Sequence, residues 1–168
     1  TPMVAAARPH EAMAIWTSFV SGTDRHEVRA ARHTASGWEP SVLLGEDDGG
    51  FGQYSRPQVA ANGSGHYLAA YTLGNGNPSV WVRSWDGSDW SPAVQLGTTL
   101  YADEPRVALD AAGRGIAVWL GSDGVSSLPY AATHTPGAGW STAAPLDADS
   151  TGEVALAVTP SGDAVAIY

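Results

Sequence analysis

The sequence predicts an all-β fold built from a repeated four-stranded antiparallel unit, and three observations lead to this prediction. Short apolar runs alternate with turns throughout the chain, which contains 20 Gly and 11 Pro. No stretch keeps an apolar pattern at helical spacing. Aromatic residues recur at intervals of about 50 residues, and a period of this length is typical of a β-propeller blade.

The repeat is clearest at the aromatic residue that ends the second apolar run of each unit, here called the anchor. A turn-forming residue lies six positions before each anchor, and an apolar residue lies six positions earlier again. The anchors are Trp16, Tyr71, Trp119 and Tyr168, the turn residues are His10, Gly65, Gly113 and Gly162, and the apolar residues are Val4, Val59, Val107 and Leu156. A second series, Trp38, Trp90 and Trp140, follows later in the first three units. Two series with nearly the same period indicate tandem copies of one structural unit.

This repeat predicts a single, partial β-propeller domain with about three and a half blades in this chain. The blades are predicted at 1–44, 57–96 and 105–146, with a half blade at 152–168. Because a blade buries its faces against its neighbours, the two outermost blades would each leave an apolar face uncovered. We therefore expect either self-association that closes the ring or association with further blades of a longer protein.

In the first unit, the alanine-rich segment Val4–Ile15 suggests a helix by composition alone. Pro9 lies beside the expected turn, and the segment matches the other units in register, so two strands are predicted instead. The third strand is predicted at Glu27–Arg32. The connection Gly45–Arg56 is acidic and rich in glycine, and it is interpreted as a solvated loop or a functional loop at the rim.

The later units follow the same pattern. In the second unit the third strand is predicted at Ser79–Arg83. The third unit, Pro105–Leu146, is the clearest copy of the repeat, and the half unit adds strands at Val154–Val158 and Ala164–Tyr168.

Composition excludes several classes of function. The formal net charge is −9 and the pI is about 4.7, so the phosphates of a nucleic acid would be repelled. The chain has no Cys, which excludes disulfides and thiolate chemistry. No apolar run reaches the roughly 18–20 residues that a membrane-spanning helix needs.

The third unit carries a resemblance to a known family. Its quoted motifs are Pro105–Ala108, the turn glycine Gly113, Ala117–Trp119 and Gly139–Ser141. This pattern resembles the repeats of bacterial sialidase-like and related lectin-like propellers. Ser84–Trp90 is similar to the Asp-box of that family, although its aromatic residue comes one position early. The resemblance implies a secreted or surface-exposed bacterial protein, in which such boxes are structural turns rather than catalytic groups.

Tryptophans carry the main functional hypothesis, because their faces stack on the apolar faces of sugars. The candidate ligand-binding residues are Trp38, Trp81, Trp85, Trp90, Trp140 and Arg106. The tryptophans are expected to line pockets between blades, and the alternative interpretation is that they only pack one blade on the next. Trp85 has no obvious counterpart in the other units. Arg106 lies on a first strand, which in a propeller lines the central channel.

The predicted function is therefore carbohydrate recognition, and two alternatives remain open. One is a structural or protein-interaction module that forms part of a longer protein. The other is the non-catalytic part of a sialidase-like glycoside hydrolase, a family whose members need three arginines around the substrate carboxylate. Here Arg56 and Arg106 flank first strands, but the arginine does not repeat, so no catalytic residue is predicted.

One segment is compatible with a metal ion. Asp147, Asp149 and Thr151 offer alternating oxygen atoms before Gly152, as in loops that wrap Ca²⁺. The closing bidentate Glu of such a loop is replaced by Val158, so an ordinary turn between blades is the alternative interpretation. No other cofactor is predicted.

Overall fold

The computed structural model describes residues 2–47, 56–74, 76–97, 100–122, 124–149 and 152–168. Within these residues the chain forms β-strands, turns and bends, and no helix occurs. Every pairing between neighbouring strands is antiparallel. The prediction of an all-β, antiparallel fold is therefore confirmed.

The first sheet has five strands. They are β1 (Met3–Arg8), β2 (Glu11–Phe19), β3 (His26–Thr34), β4 (Gly37–Trp38) and β5 (Val42–Asp47). The alanine-rich segment forms β1 and β2 rather than a helix, and His10 turns between them with a φ of 63°. The predicted connection from Gly45 was placed too early, because β5 pairs with β3 as far as Asp47. Residues 48–55 of that connection lie outside the described residues.

The remaining strands form three further sheets, none of which closes on itself within the described residues. The second sheet contains β6 (Gln58–Ala61), β7 (Tyr67–Leu73), β8 (Ser79–Trp85) and β9 (Val94–Leu96). The third sheet contains β10 (Tyr101–Leu109), β11 (Gly115–Ser122), β12 (Ser127–Thr135), β13 (Gly139–Trp140) and β14 (Ala144–Pro145). The fourth sheet contains β15 (Ala155–Val158) and β16 (Ala164–Ile167).

The anchors occupy equivalent places in the sheets. Tyr71 lies opposite Trp81 in the second sheet, and Trp119 lies opposite Tyr130 in the third. Tyr71 and Trp119 are both fully buried. Since side chains alternate between the two faces of a strand, the register also determines which residues face each neighbouring sheet.

Two apolar clusters hold the sheets together. The first lies between sheets 1 and 2 and contains Met13, Ile15, Val28, Ala30, Leu44, Tyr67, Ala69 and Tyr71. The second lies between sheets 2 and 3 and contains Ala70, Val80, Val82, Leu96, Ala102, Ala117, Trp119 and Ala132. The anchors Tyr71 and Trp119 thus pack on the preceding sheet, and alternate residues such as Ile15 and Ala70 pack on the following one. The first strands β1, β6, β10 and β15 also contact one another in this order.

Polar bonds join the turns that precede the anchors. Each turn is hydrogen-bonded to the corresponding turn of the next sheet, so these bonds link the sheets in chain order. They are Arg8 Nε to Gly63 O (3.2 Å), Asn62 Nδ2 to Asp110 O (3.0 Å) and Arg114 Nη2 to Ser161 O (2.9 Å). Arg8 also donates from Nη2 to the carbonyl of Ser64. These bonds satisfy backbone carbonyls at the sheet interfaces and align successive sheets.

Candidate functional site

A groove of about 640 Å³ opens between sheets 2 and 3, beside the later strands of both sheets. Its lining residues are Val94, Gln95, Leu96, Gly97, Leu100, Tyr130, Trp140, Ser141, Thr142 and Ala143. None of these ten described residues carries a charge. A groove of this size falls within the usual range for small-molecule sites.

Two aromatic side chains form the wall that sheet 3 contributes. Tyr130 stacks on the buried Trp119, with ring centres 6.0 Å apart and an angle of 18° between the planes. Trp140 is half-buried, and its ring centre lies 5.3 Å from that of His134. Because both rings are supported from behind, they present preformed apolar surfaces to the groove.

The polar part of the lining is uncharged. Ser141 Oγ accepts a hydrogen bond from Thr133 N (3.0 Å) and donates to Thr142 O (3.2 Å). One lone pair of the Ser141 hydroxyl therefore remains to accept a further hydrogen bond. Thr142 is exposed. The side-chain amide of Gln95 donates to Ser79 Oγ (3.0 Å). Gln95 lies on β9, an edge strand of sheet 2, whose backbone borders the groove. Hydroxyls and edge-strand backbone can both donate and accept hydrogen bonds.

Sheets 2 and 3 differ in the residue that occupies the position of Arg83. In sheet 2, Arg83 crosses to sheet 1 and donates from Nη1 to Leu44 O (3.1 Å) while its Nε donates to Ser91 O (2.6 Å). The strand register places Ala132 at the equivalent position of sheet 3, because Arg83 pairs with Ala69 and Ala132 pairs with Ala117. Ala132 is buried in the second cluster and has no group that could cross to the neighbouring sheet as Arg83 does. The cavity between sheets 1 and 2, lined in part by Trp81, measures about 350 Å³.

The buried indole of Trp119 lies behind the groove. Its Nε1 has no hydrogen-bond partner among the described residues. A Cβ placed on the lining residue Gly97 would lie 3.2 Å from Trp119 Cζ2 and 3.8 Å from Cε2, the ring atom bonded to Nε1. At the equivalent position of sheet 2, the Tyr71 hydroxyl donates to Leu44 O at 2.8 Å. The unpaired indole N–H is therefore a donor next to the groove that the protein itself leaves unsatisfied.

The structure separates the candidate tryptophans into three environments. Trp38 is exposed on sheet 1. Trp81, Trp85 and Trp90 pack against the cluster between sheets 1 and 2. Trp140 packs beside the second cluster and lines the groove.

Trp85 does have counterparts, contrary to the sequence prediction. It lies opposite Trp90, as His33 lies opposite Trp38 in sheet 1. The same place in sheet 3 is held by His134 opposite Trp140. The ring centres of Trp85 and Trp90 are 5.8 Å apart, and Arg32 Cζ lies 5.7 Å from the Trp85 ring centre. Trp85 therefore belongs to an aromatic pair that all three of these sheets possess.

Arg106 is engaged in an ion-pair cluster on β10. Its Nη2 lies 3.5 Å from Glu104 Oε2, and Arg56 binds the other oxygen of the same carboxylate. Glu104 has a φ of 51°, an unusual backbone conformation for a residue with a side chain. On the same strand, Asp103 Oδ2 accepts a hydrogen bond from the Tyr101 hydroxyl (3.2 Å).

The proposed Ca²⁺ residues are only partly described. Asp147 and Asp149 are exposed, and Asp147 Oδ1 accepts from Ala148 N (2.6 Å) and Asp149 N (3.3 Å). Thr151 lies outside the described residues. Within the part of the chain that the structure describes, no three His, Asp or Glu side chains are grouped to hold a metal ion.

The Asp-box-like segment forms a turn. Asp86 Oδ1 accepts hydrogen bonds from Asp89 N (2.9 Å), Ser88 N (2.8 Å) and Ser88 Oγ (2.8 Å). These bonds lower the pKa of Asp86 to about 2. The carboxylate organises the connection from β8 toward Trp90.

Sequence reasoning missed the residues that complete the groove. Tyr130 was not among the candidate residues, and Ser141 was named only as part of a motif. The signal for Tyr130 was its place opposite an anchor, which becomes visible only once strand register is known. Gln95 and Thr142 had no signal, because the packing of two sheets brings them together.

No family model matches the chain, and no curated protein matches its sequence. Among the described residues, none forms a helix long and apolar enough to cross a lipid bilayer.

Proposed function

We propose that this chain is a recognition module of β-propeller type that binds neutral carbohydrate in the groove between sheets 2 and 3. The observation that carries the proposal is the groove itself, where Trp140 and Tyr130 meet uncharged polar groups. Such a ligand suits a secreted or cell-surface protein. The chain is a binding protein rather than an enzyme in this proposal.

The lining suits a sugar because sugars combine apolar C–H faces with many hydroxyls. The indole of Trp140 provides a face for stacking, and the Thr142 hydroxyl and the backbone of β9 provide hydrogen-bonding groups.

The absence of charge from the ten lining residues favours a neutral sugar over a sialic acid. A carboxylate ligand would need a cationic partner, and a buried carboxylate without one is strongly disfavoured. Arg106, the cation that the sequence analysis singled out, is instead paired with Glu104 on β10.

Two features support the propeller part of the proposal. The sheets pack face to face in chain order, and the first strands of successive sheets contact one another. Both features are expected when blades are arranged around a common axis.

The first test combines a glycan array with calorimetry on the best glycan. We expect Trp140→Ala to weaken binding by tenfold or more, since loss of a stacking contact of about 1.4 kcal/mol gives a factor of ten. Folding of the variant is checked by circular dichroism.

Trp38→Ala is the matched control, because Trp38 occupies the equivalent position on the exposed face of sheet 1. Its glycan affinity should equal that of the wild type. An equal loss in Trp38→Ala and Trp140→Ala would place the site elsewhere. If the wild type bound no glycan on the array, the carbohydrate proposal would be wrong, and the interaction-module alternative would remain.

A further inference from the structure

The outward face of sheet 1 contains residues that are covered in the other sheets. Val4 is 60% exposed and Trp38 is 56% exposed. Their counterparts in sheets 2 and 3 pack against the clusters formed with the preceding sheet. These counterparts are Val59 and Trp90 in sheet 2, and Val107 and Trp140 in sheet 3. Sheet 1 therefore presents a face of the kind that normally receives a preceding sheet.

The outward face of sheet 4 corresponds to the other side of the interface between neighbouring sheets. Val165 is 61% exposed and Ile167 is 68% exposed. The residue one position before each anchor faces the following sheet, and Ile167 holds this position in sheet 4. Its counterparts Ile15, Ala70 and Val118 are fully buried. Sheet 4 therefore presents a face of the kind that normally receives a following sheet.

These two open faces correspond to the two sides of the interface that forms between neighbouring sheets within the chain, and the two-stranded sheet 4 supplies the counterparts of the first two strands. Val4 and Ile167 occupy the register positions of covered counterparts, and the sheet 1 face also carries Arg29, whose Nε donates to Glu27 Oε2 at 2.7 Å. The open faces lie on different sheets, so they cannot be covered by one symmetric contact between like surfaces.

We propose that a second copy of this chain covers them head to tail, with sheet 4 of one copy packing on sheet 1 of the next. The interaction continues the series of inter-sheet interfaces, and it uses unlike surfaces on the two partners. Such a heterologous contact forms a ring if the rotation closes and an open chain if it does not. The inference rests on the face-to-face packing of the sheets and is independent of any carbohydrate ligand.

The test uses one charged substitution on each open face, Val4→Asp and Ile167→Asp. Both residues are well exposed, so each variant should fold, which circular dichroism and thermal unfolding will check. Light scattering and sedimentation velocity over a wide concentration range should show that wild-type mass increases with concentration. Each variant alone should remain a monomer, because burial of an unpaired carboxylate is strongly unfavourable.

Mixing the two variants distinguishes this arrangement from others. Val4→Asp keeps an intact sheet 4 face and Ile167→Asp keeps an intact sheet 1 face, so an equimolar mixture should form dimers and nothing larger. Val125→Asp makes the same kind of change in the turn between β11 and β12, where Val125 is almost fully exposed, and should associate like the wild type.

A wild type that stays monomeric at every concentration would overturn the proposal. It would also be overturned if either variant alone still associated, or if the mixture stayed monomeric. The groove lies between sheets 2 and 3, so Val4→Asp and Ile167→Asp should keep any glycan binding of the wild type. Failure of association and failure of carbohydrate recognition are therefore separate results.

Discussion

At the residue scale, the buried carboxylate of Asp110 shows how one side chain organises a turn. Its Oδ1 accepts from Ala112 N (2.9 Å) and Arg114 N (2.8 Å), and its Oδ2 accepts from Arg114 Nε (2.6 Å). Its backbone carbonyl accepts from Asn62 of the preceding sheet. Burial opposes the charged form, but the hydrogen bonds and charge of Arg114 prevail and hold the pKa of Asp110 below its usual value.

Replacing Asp110 should destabilise the protein in a pH-dependent way. We expect Asp110→Asn to lower the free energy of unfolding at pH 7 by about 1–3 kcal/mol, because an amide nitrogen would face donors of Arg114. A lowered pKa in the folded state contributes stability above the unfolded-state pKa of about 3.8, and this contribution is lost as the pH falls further. Urea unfolding at pH 7 and pH 3 measures both effects.

The difference between wild type and Asp110→Asn should therefore shrink at pH 3. Asp149→Asn changes an exposed carboxylate in the same way and should have little effect at pH 7. A pH-independent difference would contradict the assigned role of the Asp110 charge.

Tyr71 provides the corresponding test at alkaline pH. Its hydroxyl donates to Leu44 O inside the first cluster, and burial raises the pKa of Tyr71 to about 12. Above pH 10 the unfolded chain releases this proton while the folded chain retains it, so stability should decline between pH 10 and pH 12. For a shift of this size the loss is about 2–3 kcal/mol at pH 12.

Tyr71→Phe should be less stable than the wild type at pH 8 by about 1 kcal/mol, the usual net value of a hydrogen bond. Above pH 10 its stability should decline less steeply than that of the wild type. Urea unfolding at pH 8, 10 and 11 measures the comparison. Parallel pH profiles for the two proteins would show that Tyr71 is not the group responsible.

At the scale of the strands, Gly45 allows β5 to approach sheet 2 closely. A Cβ at this position would lie 2.7 Å from Leu73 Cδ1 and 2.9 Å from Tyr71 Cε2. We expect Gly45→Ala to lower the free energy of unfolding by about 1–3 kcal/mol through overpacking. Gly63→Ala is the matched control, because a Cβ there meets nothing within 4 Å.

Thermal and urea unfolding of the two alanine variants provide the measurement. Gly63→Ala should be within about 1 kcal/mol of the wild type, since a compatible Gly→Ala change acts mainly on the unfolded chain. Equal destabilisation by both substitutions would contradict the close packing of β5 on sheet 2.

The strands also show where sequence reasoning failed. Trp85 was interpreted as lacking counterparts because residues were compared by their distance from the anchors along the sequence. Hydrogen-bonded register instead aligns Trp85 with His33 and His134. Turn lengths differ between units, so spacing along the sequence drifts while the pairing across strands stays constant.

At the scale of the whole molecule, the alternation of short apolar runs with turn-forming residues was sufficient to predict an all-β fold. Apolar runs bounded by Gly and Pro predicted strands even in the alanine-rich segment Val4–Ile15, and β1 and β2 confirm this. The anchors Tyr71 and Trp119 are fully buried, whereas Tyr168 is 47% exposed. These features are local consequences of backbone geometry and side-chain size, so they can be read without knowing the packing.

The candidate site was predicted only in part. Trp140 was among six candidates, and nothing in the sequence distinguished it from Trp38 or Trp90. The distinction arises because Trp140 lines the groove between sheets 2 and 3, whereas Trp90 packs against the cluster between sheets 1 and 2 and Trp38 is exposed. These environments depend on which sheets pack against each other.

The sequence by itself determined that this chain forms short antiparallel strands in tandem units, because hydrophobic alternation and turn residues act over a few positions. Only the tertiary structure decided which sheet faces are buried, which interface opens into a groove and which candidate tryptophans line it. Those properties depend on contacts between residues far apart in the chain. Neighbouring sheets bring such residues together, and the sequence spacing alone does not show which of them meet.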